Sequence, residues 1–392
     1  MAVRVSHVIR WCACLAAGGA AVAITGLPAT AVTAPVVTST VRYRYVKIAA
    51  VGTNEFGTFN AAAAVNSAGE VVGSSSVREG FRAYSWLNGH LTDLGVLARG
   101  AGPFESSAAG LNDLGDVVGA TQINGPSETG PHAFITRHGT TRMVDLGTGY
   151  PGVGSGSAAT ALNDSGQVVG YHYPTQSAQI RAVTWRGGKL TELPGLGGHA
   201  GLYGTDSKAN AINTAGQIVG VAQPRDTRQA LHGVLWGRGV PTDLGNLGGT
   251  GEATSADGLN DHATVVGASY TRTRQLHAFS WKAGVMRDIG GPGTDPSGQT
   301  SEAYAVNNTD TAVGYVQVAA GPRNGWQAGV PAATVWRNGL PTDLNRLVTN
   351  LPKGTHLSFA RAINDNGVIV GATCPVSDCS TSNDTFALIP TS

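Results

Sequence analysis

Charge is scarce in this chain: Asp, Glu, Lys and Arg make up 13% of it and the formal net charge is +1. That leaves no basic surplus for a phosphate backbone and no acidic tail, so nucleic acid is not an expected partner. Aromatic residues are few, at 6%, and the four Cys in 392 residues exclude a disulfide-dependent miniprotein. No apolar run reaches the ~20 residues that a membrane-spanning helix needs. What the chain does have is 41% hydrophobic residues, enough for a large core, and 56 Gly. The Gly residues recur at fixed offsets among Val, Ile and Trp, so they read as turn punctuation and long helices are not expected.

The first residues place Arg4 and Arg10 ahead of an apolar stretch from Trp11 to Ile24, followed by Pro28 and the small triplet Ala29-Thr30-Ala31. This pattern predicts a secretory signal peptide over 1–31, a linker over 32–42 and one domain over 43–392. The expected product is an extracellular monomer with no membrane span after cleavage. Cys12 and Cys14 would leave with the signal, so Cys374 and Cys379 remain as one expected local disulfide.

The chain repeats itself with a period near fifty residues, and a fixed period of that length marks repeat architectures. A phrase ending in Asn-x-x-Gly followed by Val-Val-Gly occurs seven times, with its Asn at Asn66, Asn112, Asn163, Asn213, Asn260, Asn307 and Asn364. Ala263 and Asp310 replace the turn Gly in copies five and six, so those turns are expected to be less regular. A second phrase, aromatic-rich and closing on Thr-Asp-Leu-Gly, follows each of the first six copies. Each unit thus holds four short extended runs, enough for a four-stranded blade. The seventh copy lacks its last run, while Tyr45-Val46-Lys47-Ile48 is an orphan run before the first copy. Pairing it beside Phe386-Ala387-Leu388 predicts an all-β, seven-bladed β-propeller whose last blade is closed by an N-terminal strand. An open solenoid is the alternative, and it would want atypical polar caps instead.

His132-Ala133-Phe134 and His277-Ala278-Phe279, set among the Asn-x-x-Gly, Val-Val-Gly and Asp-Leu-Gly phrases, resemble the HAF-type extracellular repeat over nearly all of the chain after Arg42. The resemblance implies an exported repeat protein and brings no catalytic motif. Arg82, Arg181 and Ala332 stand where His would, which argues against a shared ring of His ligands, and Glu192 replaces Asp in the third copy.

Comparing the copies column by column isolates candidate sites. Four residues before the turn Asn every copy has Ala, and two before it only Ala or Gly. Side-chain alternation predicts that these two columns share a strand face crowded near a ring axis. Between them stand Ala63, Ala109, Thr160, Asn210, Asp257, Tyr304 and Arg361, a mixture that packing alone does not require. Asn210, Asp257, Tyr304 and Arg361 are therefore the candidate ligand-binding arc, the alternative being a structural cluster with an Asp257 to Arg361 ion pair. Trp326, in the expanded sixth copy, is a further candidate for a carbohydrate- or peptide-binding face. The other recurring Trp residues (Trp86, Trp185, Trp236, Trp281, Trp336) and the recurrent Asp of Thr-Asp-Leu-Gly read as structural.

Asp257, Glu302 and His356 are titratable groups near the first strands, but their spacing matches no catalytic motif. No catalytic or metal-ligating set is expected, and no cofactor; the Asn-Asp-x-Gly turns at Asn112, Asn163 and Asn364 suggest calcium only faintly, with one carboxylate each. The reading favoured is a non-catalytic binding or adhesion platform for an extracellular carbohydrate or peptide polymer or a small polar ligand. A propeller hydrolase or lyase, and a purely structural surface component, are the alternatives.

Overall fold

The structure is a computed structural model. It describes residues 41–391 apart from 54–58, 79, 98–104, 125–128, 151–154, 174–178, 198–205, 225–229, 238–239, 292–298, 319–328, 377–378 and 380–383. The expected signal segment and all but the end of the linker lie outside the described residues, as does Trp326.

Seven four-stranded antiparallel sheets form the blades of a β-propeller, and the only helical turn among the described residues is the 3-10 segment Leu344–Arg346. In blade 4, for example, Ser207–Ile212, Ile218–Ala222, His232–Gly237 and Val240–Asp243 lie in chain order from the axis outward. Blade 7 runs Arg42–Ile48, Asp384–Thr391, Ile369–Pro375, Thr355–Ile363 from the outside in. The closing register sets Tyr45 opposite Leu388, Val46 opposite Ala387 and Lys47 opposite Phe386, the pairing that the orphan run predicted.

An outermost strand leaves an unpaired edge, which proteins cover or blunt. Here the long segment after Asp343 covers it. Tyr43 N–H donates to Leu347 O and Thr349 N–H to Tyr43 O. Asn350 brackets Tyr45, accepting its N–H at 2.7 Å and donating to its carbonyl at 3.1 Å. The irregularity of the sixth copy thus has a structural purpose at the seam.

The apolar core is divided among the gaps between blades, with one cluster per gap. Trp86, Trp185, Trp236, Trp281 and Trp336 all sit in these clusters, each against the preceding blade. Where the indole N–H finds a partner, it is a carbonyl at the end of that blade's fourth strand: Pro194 O for Trp236 and Ile289 O for Trp336. At the same strand position blade 7 has Leu388 and blade 2 has Thr136.

The recurrent Asp residues terminate the fourth strands. Asp93, Asp145, Asp243 and Asp288 each accept the N–H of the Gly two residues on, and Asp343 accepts that of Asn345. The His of the third strand ties the same carboxylates: His132 to Asp145, His232 to Asp243 and His277 to Asp288. Blade 3 rebuilds the link with other residues, since Glu192 receives Arg181 at 3.6 Å and His172 at 3.0 Å. Cys374 and Cys379 are joined by a disulfide, their Cα atoms 4.9 Å apart.

Two sequence expectations need correction. Ala263 and Asp310 do not loosen their turns: they hold φ of 57° and 56°, and their N–H groups donate to Asn260 O and Asn307 O as Gly does elsewhere. Ring closure imposes the turn on them, at the cost of a left-handed conformation on an L side chain. Second, the two small-residue columns do not share a face. Ala62 packs into the gap between blades 7 and 1, whereas Ala64 packs into that between blades 1 and 2. Ala209 and Ala211 divide in the same way.

Candidate ligand-binding site

The cause of that division is a β-bulge in the first strand of every blade. Ala209 pairs with Gly220 and Ala211 with Val219, so consecutive partners face residues two apart and Asn210 is left over. The same shift frames Ala63, Ala109, Thr160, Asp257, Tyr304 and Arg361. A bulge re-aims the extra side chain and bends its strand. It also brings a carbonyl against the opposite strand, which explains the Gly of Val-Val-Gly. A Cβ on Gly220 would lie 2.0 Å from Lys208 O, and one on Gly314 1.9 Å from Glu302 O.

The bulged positions of blades 1 and 2 carry only Ala, and Thr160 of blade 3 spends its hydroxyl on Ala209 O at 2.8 Å. Blades 4 to 7 carry the polar arc, and their side chains meet in two pairs. Asn210 Nδ2 donates to Ala256 O at 2.9 Å and to Asp257 Oδ1 at 3.2 Å. Ser255 Oγ donates to the same Oδ1 at 2.6 Å. Asp257 Oδ2 is buried and has no hydrogen-bond partner. The Arg361 guanidinium lies 4.4 Å above the Tyr304 ring and 5.0 Å from Phe359, a cation–π stack extended by Tyr315.

Glu302 joins the two halves. It is hydrogen-bonded to Tyr304, and its charge acts on Asp257. Burial raises the Asp257 carboxyl to about 7, with the nearby Glu302 adding to the rise and Ser255 and Lys208 opposing it. Burial also raises Glu302, against Tyr304 and Arg361. Burial thus favours the neutral carboxyl of Asp257, which can donate as well as accept. The Asp257 to Arg361 ion pair does not form among the described residues; the partners of Asp257 are Asn210 and Ser255. His356 lies outside the arc, bonded to Pro331 O.

Lys208, Ser255 and Phe359 were missed in the sequence although a signal existed. The column five residues before the turn Asn reads Ala61, Ser107, Ala158, Lys208, Ser255, Glu302 and Phe359, as mixed as the bulged column itself.

At the turn end of the axis a second feature was missed. Each turn Asn donates its Nδ2 to the carbonyl of the next blade's turn Asn, from Asn66 to Asn112 O round to Asn364 to Asn66 O, at 2.7 to 3.3 Å. Its Oδ1 accepts the N–H four residues on within its own blade. The ring surrounds a mouth of about 240 Å³ collared by aliphatic side chains such as Leu111 and Ile212. Asp113, Asp164, Asp261 and Asp365 stand at its rim, each accepting a backbone N–H, from Ser67, Asp113, Thr214 and Asn308 respectively. Among the described residues no three His, Cys, Asp or Glu side chains are grouped to hold a metal.

No sequence family and no curated protein matches the chain. Solved structures do resemble it in fold. A puromycin-hydrolyzing peptidase from Mycobacterium tuberculosis shares 12% identity at a TM-score of 0.47, over 85% of this chain and 50% of that one. TolB from Acinetobacter baumannii shares 7% at 0.40, over 64% of this chain and 61% of its own. AofleA from Arthrobotrys oligospora shares 11% at 0.39, over 77% and 85%. The chain thus spans about half of the peptidase and under two thirds of TolB. At these identities the likeness is one of fold alone. No helix among the described residues is long and apolar enough to cross a membrane.

Proposed function

We propose that this chain is an exported, HAF-type repeat protein that acts as a non-catalytic binding platform, holding a small polar ligand or a hydroxyl-bearing unit of an extracellular polymer on the arc of blades 4 to 7. The observation that carries the reading is the asymmetry of the bulged column. Three blades carry Ala, Ala and a satisfied Thr, while four consecutive blades carry two interacting pairs, Asn210 with Asp257 and Tyr304 with Arg361, with Asp257 Oδ2 buried and unpartnered. A buried polar atom without a partner costs about 1–3 kcal/mol, so this cluster is not satisfied by its own residues. The stacked Tyr304 and Arg361 supply a flat wall, and Lys208 and Glu302 supply opposite charges at either side.

A glycan and peptide array followed by calorimetry on the best binder tests this. Asp257→Ala and Tyr304→Ala are each expected to weaken binding at least tenfold in folded protein. Unchanged binding in both variants would remove the arc from the function. The raised carboxyls of Asp257 and Glu302 favour one second reading, acid–base cleavage of a glycosidic or related bond. Polysaccharide breakdown that is lost in both Asp257→Asn and Glu302→Gln would select it.

A further inference from the structure

Of the seven bulged residues only Arg361 is exposed; the other six are half-buried. Its guanidinium lies over two aromatic rings, those of Tyr304 and Phe359. Tyr315 fixes both rings in turn, its centroid 6.0 Å from that of Tyr304 and 5.1 Å from that of Phe359. Several cations elsewhere are paired with acids: Arg137 with Asp116, Arg181 with Glu192 and Lys282 with Asp310. Arg361 has no hydrogen-bond or ion-pair partner among the described residues. The nearby Glu302 is engaged with Tyr304 instead. A second cation of the arc, Lys208, is likewise held over a ring, 5.5 Å from the centroid of Tyr171, and has no ion pair among the described residues.

A guanidinium stacked on aromatic rings spends its faces, while its N–H donors project from its edge in a fork that matches a carboxylate. We propose that Arg361 anchors a carboxylate and that the arc takes a uronic acid unit of an extracellular polysaccharide. This rests on the reading of the arc as a binding platform and names its ligand. Arg361 carries the assignment because its charge is accessible, held in place by the rings and unpaired. The groups around it, Lys208, Asn210, Glu302 and the Tyr304 hydroxyl, all exchange hydrogen bonds. They match the hydroxyls of a sugar ring better than the methylenes and amides that follow the carboxylate of an acidic peptide. Burial raises the carboxyls of both Asp257 and Glu302, which weakens the repulsion that an incoming anion meets.

The test titrates the full chain by calorimetry with trimers of galacturonic and glucuronic acid, with the neutral trimers of galactose and glucose, and with a capped Gly-Asp-Gly peptide. At least one acidic trimer is expected to bind tenfold or more tightly than its neutral counterpart, and to weaken severalfold between about 50 and 500 mM salt. R361Q is expected to cost that trimer at least tenfold, and R361K severalfold, because an ammonium keeps the charge but not the fork. F359L, which removes one ring from the stack, should also cost severalfold. R287Q, which deletes an exposed charge on the outer strand of blade 5, should change nothing. Absence of saturable binding of both acidic trimers into the millimolar range, equal affinity for acidic and neutral trimers, tighter binding of the peptide, or uronate binding unchanged in R361Q and R361K would each overturn the inference. The platform reading is judged separately: it stands if any ligand found on the array is lost in Y304A, whichever way the trimers behave.

Discussion

Asp257 is the residue on which the chemistry of the arc turns, and its titration is testable without a ligand. Its carboxyl ordinarily titrates near 3.8 and is raised to about 7 by burial. Between those values the folded state holds a proton that the unfolded state has released. The contribution is therefore fully present below about pH 4 and is lost as pH rises through about 7. Asp257→Asn keeps the neutral shape and cannot charge. The Tm difference, variant minus wild type, is expected to grow by a few degrees between pH 5 and pH 8.5 in scanning calorimetry. A constant difference would mean that Asp257 is already ionised at pH 5. Carboxylates such as Asp243 and Asp288, held low by their His partners, act in the opposite sense, so the difference between proteins and not the wild-type curve is the readout.

At the scale of the strand, the repeat phrases made the blade legible but not its inner geometry. Asn-x-x-Gly, Val-Val-Gly and the Trp column gave the order of the four strands, because turn chemistry and apolar pairing are written locally. The bulge at Asn210 was not legible. It occurs at the same place in every copy, so no insertion marks it, and simple alternation was the wrong rule there. The heterogeneous column it projects was legible, because seven internal copies show where packing tolerates anything. What the sequence could not show was that the neighbouring column, with Lys208 and Glu302, faces the same space. The bulge makes a sharp prediction at Gly220. Gly220→Ala is expected to cost about 3 kcal/mol or more, since its Cβ would meet Lys208 O. Gly69→Ala, whose Cβ meets nothing within 4 Å, should cost only the 1–2 kcal/mol of its left-handed backbone. Urea denaturation of the pair checks the ranking.

The whole molecule depends on two closures, one of sheet and one of side chains. The strand Arg42–Ile48 completes blade 7, burying Tyr43 and Ile48. Deleting 42–48 is expected to expose the edge of Asp384–Thr391, lower Tm by more than ten degrees and enlarge the particle in small-angle scattering. An unchanged radius would mean that the Asn ring alone keeps the circle shut. The sequence could announce the first closure through its mismatched ends. It could not announce the second, because an Asn in a tight turn is explained by the turn alone.

That first closure also sets a schedule. The segment at 42–48 is synthesised before any blade exists, yet its partner strand in blade 7, 384–391, is the last strand of the propeller to be made, and the 347–350 segment that covers its other edge comes only shortly before. Until then it is an unpaired, half-apolar ribbon, and the six self-contained blades must assemble while it waits. Folding of this protein should therefore end with the docking of its beginning, a step of high contact order that is sensitive to anything able to capture a lone strand in the meantime.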